Sequence, residues 1–534
     1  MDRRKFLLNS LGLAGVAYSG SVLTSCNTPT QVSGILSGPN RDLGHRLRTE
    51  IMESKNEKTV THDVVIVGGG VSGLAAARYL DKNSVDFLLI ELEKRTGGNA
   101  QYGTNAISAF PLGAHYLPLP GLHDNDLIQF LEESEVITGY ENGLPVYNEY
   151  YLCFDPKERL YINGHWQEGL VPRTGLPMGD VSEIERFHEL MHFYRNAKGT
   201  DGKEAFCIPT PFCSSDARFT SLDAISFYAY LKQQNFSSPY LFWYVNYCCA
   251  DDYGATSNNI SAWAGIHYFA SRKGIAANST SEAVLTWPEG NGWLIKQFQK
   301  HLNDRVVTNS LVYHVDMEAG IPFIKVIDGS TGACTKIIAK KIIISTPQFI
   351  NQRILSTQLK REIDFKKFKY APWMTANLTL NSNLGNRRGE PLCWDNVIYG
   401  SSSLGYVHAN HQTISAESTD KVITYYAPLT GNDMVNERQW ANSRTYEDWY
   451  QLIIQDLKKP HSNIETGLKG LDIWIWGHGM ICPSPNFIFG PEKQKAKSPI
   501  EGKIFFAHSD LTGISIFEEA FYSGTQAAKN ALSS

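Results

Sequence analysis

No CxxC spacing occurs among the nine cysteines, which removes the zinc ribbon and the thioredoxin-like dithiol from consideration. Charge is scarce as well: Asp, Glu, Lys and Arg make up 19% of the chain, and the formal net charge is -5. Residues 1–25 hold three basic side chains (Arg3, Arg4, Lys5) and one acidic (Asp2), so the remainder carries 46 basic against 53 acidic residues, net -7. With no basic excess, a nucleic-acid partner is not expected. The apolar run near the N-terminus is broken by Asn9, Ser10, Ser19 and Ser21 and does not read as a permanent span of about 20 apolar residues. What the chain does have is bulk: 42% hydrophobic residues with 11 Trp, 26 Tyr and 25 Phe describe an ordered globular protein. At 534 residues it exceeds a single core, which stops growing at roughly 250–300 residues, and two or three domains are expected. Cys248 and Cys249 are neighbours that would pair only with strain, and the sequence fixes no disulfide pairing.

The first residues read as a leader. Asp2-Arg3-Arg4-Lys5-Phe6-Leu7 is followed by a mildly apolar run to Val22 and then Leu23-Thr24-Ser25-Cys26. The paired arginines resemble a twin-arginine signal and the last four residues resemble a bacterial lipobox. That resemblance implies a signal over 1–25, export of a folded protein to the periplasm or cell envelope, and a lipid on Cys26 that anchors it to a membrane. Export in the folded state suits an enzyme that takes up its cofactor first. Residues 26–58, rich in Ser, Thr, Gly, Asn and charge without apolar periodicity, read as a flexible tether.

Val64-Val65-Ile66-Val67 is an apolar strand that runs into Gly68-Gly69-Gly70-Val71-Ser72-Gly73 and then Leu74-Ala75-Ala76-Ala77-Arg78-Tyr79-Leu80. Strand, glycine turn and helix in this register make a dinucleotide site. Gly68 permits the tight turn, Gly70 lets backbone approach a pyrophosphate at the positive helix end near Ser72, and Gly73 lets helix and strand pack closely. A second strand, Phe87-Leu88-Leu89-Ile90, ends at Glu91, whose carboxylate suits a ribose with a free 2′-hydroxyl.

Beyond Glu91 the segment Glu91-Leu92-Glu93-Lys94-Arg95-Thr96-Gly97-Gly98-Asn99 resembles the E-x-x-x-R-x-G-G-R run of the flavin-containing amine oxidoreductases, which include amine oxidases, protoporphyrinogen oxidases and phytoene desaturases. Asn99 replaces the usual arginine. The resemblance returns at Pro111-Leu112-Gly113-Ala114-His115-Tyr116, at Trp287-Pro288-Glu289-Gly290-Asn291-Gly292-Trp293-Leu294, at Ser310-Leu311-Val312-Tyr313-His314-Val315, and at Ile342-Ile343-Ile344-Ser345-Thr346-Pro347. It closes at Lys503-Ile504-Phe505-Phe506-Ala507 with Asp510, and at Ile516 to Gly524. What it implies is an α/β fold: a Rossmann-like FAD-binding domain assembled from residues 59–116, 285–350 and 471–534, and an α+β substrate or cap domain from 117–284 and 351–470. FAD, held noncovalently, would meet Gly68, Gly70, Ser72, Gly73, Glu91, Arg95, Gly97, Gly98, Gly113, Ala114, His115, Val312 through its backbone, Asp510, Phe517 and Glu518. The helix starting near Phe517 would point its N-terminus at the pyrimidine end of the flavin and stabilise negative charge there.

Specificity belongs to the inserts. Tyr240 to Gly254 is aromatic and ends in Asp251-Asp252, and an aromatic wall, Tyr247 among it, with carboxylates suits a cationic amine. A core helix followed by a capped turn is the commoner reason for acids such as Asp251 and Asp252. His188-Glu189-Leu190-Met191-His192 matches the H-E-x-x-H pattern of zinc metallopeptidases. Ser182 and Glu185 suggest a capping box there, the stripe Ile184, Phe187, Met191, Tyr194 leaves both histidines at its edge, and no metal is expected. Trp476, His478 and Asn377 are the catalytic candidates, with His408 and His411 as further histidines. The resemblance implies hydride transfer from a substrate C–H to flavin N5; the family's lysine near N5 would fall around Trp373 to Leu378, where there is none. Oxygen, a quinone or a cytochrome are therefore all open as acceptors. Amines, including polyamines, lead as substrates; lipid or polyene desaturation, isomerisation without net redox, and a flavin-carrying lipoprotein without turnover are the alternatives.

Overall fold

The computed structural model describes residues 32–49 and 58–534, apart from 301, 382–383, 385–387, 415–419 and 432. The leader and Cys26 lie outside the described residues. Among the described residues no helix is long and apolar enough to cross a membrane.

Two sheets organise the molecule. The first has seven strands, in the order Val306–Val307, Phe87–Ile90, Lys58–Val67, Cys334–Ile344, Ile321–Asp328, Ser310–Glu318, with Ile504–Phe506 also paired to Cys334–Ile344. Strands from three distant stretches of sequence run parallel through its centre: Val67 pairs with Ile90 and with Ile344, and Ile344 with Phe506. Side chains alternate between faces along a strand, so Val64 and Ile66 enter one core with Leu74, Ala75, Ala76, Ala77 and Phe521, while Val65 and Val67 enter another with Ile324 and Ile504. A sheet covered on both faces needs such near-continuous apolar runs. The carboxyl ends of the parallel strands share one edge, the place where open α/β sheets bind ligands.

The second sheet has eight strands, in the order Leu36–Ser37, Leu468–Ile481, Tyr370–Leu380, Lys421–Pro428, Tyr406–His408, Asp395–Ile398, Glu158–Ile162, His165–Glu168. Strand Tyr370–Leu380 is buried throughout but for one residue, with Met374, Ala376, Leu378 and Leu380 against Trp449, Ile453, Ile454 and Leu457 of helix Tyr446–Leu457. Its other face turns Ala371 and Trp373 towards Phe110 and Leu112 of the dinucleotide half and Tyr247 of helix Pro239–Tyr253.

Two expectations need correction. Residues 32–49 are not a free tether: Leu36 and Ser37 pair with Ile473 and Trp474 as an outermost strand, and Leu43 is buried. Asn40 N donates to Glu93 at 2.7 Å, so this stretch spans both halves. Its short apolar residues, Ile35, Leu36 and Leu43, suffice for an edge strand and one anchor, too few to show as a periodic pattern. Ser182 does not cap its helix, which starts at Met178 after Pro177 and runs to Asn196. Ile184, Phe187 and Met191 are buried, whereas His188, Glu189 and His192 are exposed. No group of three or more His, Cys, Asp or Glu side chains able to hold a metal occurs among the described residues.

Candidate active site

At the carboxyl edge of the first sheet, Lys58–Val67 turns at Gly68 (φ +102°) into helix Val71–Lys82, whose N-cap Gly70 offers no side-chain cap. The opening amides of an uncapped helix are open donors at the positive end of its dipole, which is an anion site. A Cβ built on Gly70 would meet nothing nearer than Gly98 Cα at 4.0 Å, leaving room above the turn. On Gly73 a Cβ would lie 1.9 Å from Gly68 O, so glycine alone allows the helix to start this close. Gly97 N donates to Gly69 O at 2.8 Å and brings the Gly97-Gly98 pair alongside. Glu91 reaches across the turn, accepting from Gly69 N at 2.5 Å and Glu93 N at 2.7 Å; burial pushes its carboxyl up to about 7 against those hydrogen bonds. Ser310 N donates to Glu91 O at 2.9 Å, which sets the strand carrying Val312 beside this acid. Arg95 is exposed, its guanidinium 5.7 Å from the Tyr102 ring centre. Ser72 is buried under Gly524, where a Cβ would stand 1.9 Å from Ser72 O, so helix Phe517–Ser533 crosses the first helix at closest backbone approach.

A second layer holds Gly113, Ala114, His115 and Tyr116. Ala114 N donates to Asn99 O at 2.9 Å; Asn291 donates from N to Ala114 O at 3.0 Å and from Nδ2 to Tyr116 O at 2.9 Å. From the other sheet, Trp476 Nε1 and Thr375 Oγ1 donate to Leu112 O at 2.6 and 2.9 Å, and Tyr426 OH to Gly113 O at 3.1 Å. Trp476 is thus a clamp between the halves. Asn99 spends its amide on Gly479 O, which fixes it to strand Leu468–Ile481. His478 stacks on Phe349 at 4.2 Å, and burial lowers its pKa to about 3. Asp510 accepts from Tyr370 OH and, at 3.0 Å, from Gln348 N. Phe517 turns its ring into the core with Phe521, so only its backbone faces the edge. Glu518 is buried, and burial raises its pKa to about 8. Asn377 Oδ1 accepts from Thr424 at 2.7 Å while its Nδ2 has no partner.

Beyond Tyr116 the wall becomes acidic and aromatic. The His115 ring lies 4.6 Å from Tyr426, 5.6 Å from Trp394 and 5.0 Å from Tyr116. Tyr116 OH donates to Asp251 at 3.5 Å, and Tyr247 OH to Asp395 at 3.5 Å. Asp252 is different: Arg272 Nη2 contacts both its oxygens at 2.7 Å, an internal pair that neutralises it. Burial raises Asp251 to about 7, with Asp252 adding to the rise, and burial drives Asp395 well above the carboxylate range, with Glu158 and Asp251 adding to it. Among the described residues no Lys or Arg stands within ion-pair distance of Asp251 or Asp395. His115, Tyr116, Asp251 and Asp395 keep partial exposure although protein surrounds them, so they border a space instead of filling a core. A cation entering that space would restore charge to both acids.

This surplus of buried carboxyls has a consequence for stability. Glu91, Asp124, Asp251 and Glu519 titrate at about 7 and Glu518 at about 8 in the folded chain, each raised chiefly by burial. Between their unfolded values and these, the native state binds more protons, so stability falls as pH rises. Buried neutral His115, His267 and His478 act oppositely, but only below their ordinary 6.5. The cofactor-free protein is therefore expected to be less stable at pH 8 than at pH 6.5. Denaturation midpoints at the two pH values check this, and a flat or rising profile contradicts it.

Edge, glycine turn and acid together define a two-sheet protein with a Rossmann-type dinucleotide cradle. Consistent with that, residues 66–134 match the family model described as an NAD(P)-binding Rossmann-like domain. The chain is 24% identical over 292 residues to flavin-containing amine oxidase A of Canis lupus familiaris, covering 52% of this chain and 49% of that protein. It thus spans about half the length of that curated relative. Wild-type putrescine oxidase bound to putrescine superposes with a TM-score of 0.62 at 15% identity, covering 89% of this chain and 100% of that one. A CLA-producing fatty acid isomerase from P. acnes does so with a TM-score of 0.59 at 14% identity, covering 90% and 99%. The fold is that of the flavin amine oxidases.

Sequence reading did not find Asp395, Tyr426, Trp394, Thr375 or Asn291. Asp395 left a trace: an acid inside the apolar stretch Cys393-Trp394-Asp395-Asn396-Val397-Ile398 is costly unless used. The others are side chains whose roles depend on which strands meet.

Proposed function

We propose that the protein is an FAD-dependent oxidoreductase that oxidises amines. The observation that carries this is the pair Asp251 and Asp395, carboxyls without an ion-pair partner among the described residues, in an aromatic wall directly beyond Tyr116. The cradle fits the cofactor: an uncapped helix start with room above Gly70 takes a pyrophosphate, and Glu91 takes a ribose. FAD, when bound, supplies acceptance of a hydride from a substrate C–H bond. The chain's own residues then bind and orient. Asp251 and Asp395 attract the ammonium group, and Tyr116, Tyr247, Trp394 and Tyr426 pack its carbon chain and offer π faces to the charge. Asp251, poised at about 7, is placed to hold the proton an ammonium must lose before its carbon can give up hydride. Two separated acids favour a substrate with a second cation, such as a polyamine.

Thr375 and Asn377 occupy the strand face where the resemblance would expect a lysine. We attribute electron acceptance accordingly to oxygen, a quinone or a cytochrome, and place the enzyme in the cell envelope, anchored by lipid on Cys26. The test is anaerobic mixing of natively purified protein with putrescine, a monoamine and an unsaturated fatty acid. Bleaching of the flavin band by an amine alone is expected. Bleaching by none of them, with fatty-acid double bonds shifted, would transfer the site to isomerisation.

A further inference from the structure

Cys207 and Cys213 stand apart from the other described cysteines. Their sulfurs are 3.7 Å apart, at van der Waals contact. Cys213 Sγ accepts from Cys207 N at 3.2 Å and lies 3.2 Å from Cys207 O, so the two side chains already face each other. Cys248 and Cys249, adjacent in sequence, instead enter two different cores. The segment between Cys207 and Cys213 is tied to the cradle: Thr210 donates from N to Glu519 at 2.6 Å and from Oγ1 at 3.3 Å, and Glu519 stands in the first turn of helix Phe517–Ser533. Both thiols are buried and the proposed chemistry uses neither.

We propose that Cys207 and Cys213 are an oxidisable pair that closes to an intramolecular disulfide and locks residues 207–213 onto the start of the last helix. The oxidant is a small disulfide of the glutathione class. Opening of residues 207–213 exposes the thiols; one, deprotonated, attacks a sulfur of the oxidant and expels a thiolate, and the other then attacks the mixed disulfide and expels the second. The protein gives up two protons and two electrons, one S–S bond forms in it, one breaks in the oxidant, and two small thiols leave. The bond requires the sulfurs, in contact at 3.7 Å, to close to about 2.05 Å.

Trypsin cuts after Lys203 and Arg218, releasing peptide 204–218 with Cys207 and Cys213 and no other cysteine. Holoenzyme held with oxidised glutathione, then alkylated in denaturant and digested, should yield this peptide unalkylated and two hydrogens lighter than the dithiol. Dithiothreitol before alkylation should restore two alkyl groups, and Cys213→Ser should abolish the light form. The oxidised holoenzyme should unfold at a higher temperature than the reduced. A dialkylated peptide after oxidation, or one joined to another cysteine, overturns the pair; an unchanged unfolding temperature overturns the lock.

Discussion

Gly73→Ala is expected to yield protein that purifies with much less bound flavin than the parent. The added Cβ would lie 1.9 Å from Gly68 O and 2.7 Å from Ser345 Oγ, and neither atom can withdraw. Gly68 O is held by Ser345 Oγ at 2.7 Å, and Gly68 N donates to Ile90 O at 2.8 Å, so the turn is fixed to two strands of the sheet. The helix must move instead, and with it go the amides that face the pyrophosphate. Overpacking of this kind costs about 1–3 kcal/mol in a core. Here the cost falls on the bound state, and we expect cofactor affinity to drop by about 5- to 150-fold, the factor to which 1–3 kcal/mol corresponds. The flavin-to-protein ratio after native purification reads the effect. Gly179→Ala, at a position with open space around its Cβ, is the control and should remain yellow. A fully loaded Gly73→Ala protein would mean that the glycine turn does not hold the cofactor.

Asp395→Asn should weaken amine binding while making the cofactor-free protein more stable at pH 8. Hydrogen bonds to charged groups are worth roughly 1.5–3 kcal/mol, so loss of the anion should raise the amine dissociation constant by about 10- to 150-fold. The rate of flavin reduction at saturating amine should change far less, because the role proposed for Asp395 is to bind the cation away from the reacting carbon. The stability gain has the same origin. Burial and the neighbouring Glu158 and Asp251 carboxylates disfavour the Asp395 anion, and the amide removes that cost. A site that trades stability for binding shows both signs at once. Unchanged amine affinity would show that the aromatic and acidic wall is not the substrate site.

The dinucleotide half was legible because its chemistry is local. Gly68, Gly70 and Gly73 lie within six residues at the strand-to-helix turn, and Glu91 closes the next strand, so backbone requirements are written in neighbouring residues. The order of segments along the seven-stranded sheet could be read only through resemblance, since nothing local says that Ile342-Ile343-Ile344 lies between Val64-Val65-Ile66-Val67 and Ile504-Phe505-Phe506. The acidic and aromatic wall was half legible. Asp251 and Asp252 look alike in sequence, yet helix geometry turns one to Tyr116 and the other to Arg272, a distinction set by a residue twenty positions away. Asp395 joins them through pairing of Asp395–Ile398 with Glu158–Ile162, which no periodicity encodes. Residues 32–49 show the opposite failure: polar composition suggested a tether, but backbone hydrogen bonds to Leu468–Ile481 need no apolar pattern.

The account rests on one dinucleotide seated at the carboxyl edge of the first sheet. The direct measurement is to denature natively purified protein and quantify the released cofactor. One FAD per chain, falling well below that ratio in Gly73→Ala, is the predicted result. Folded protein that releases no flavin and takes none up on incubation with FAD would contradict it.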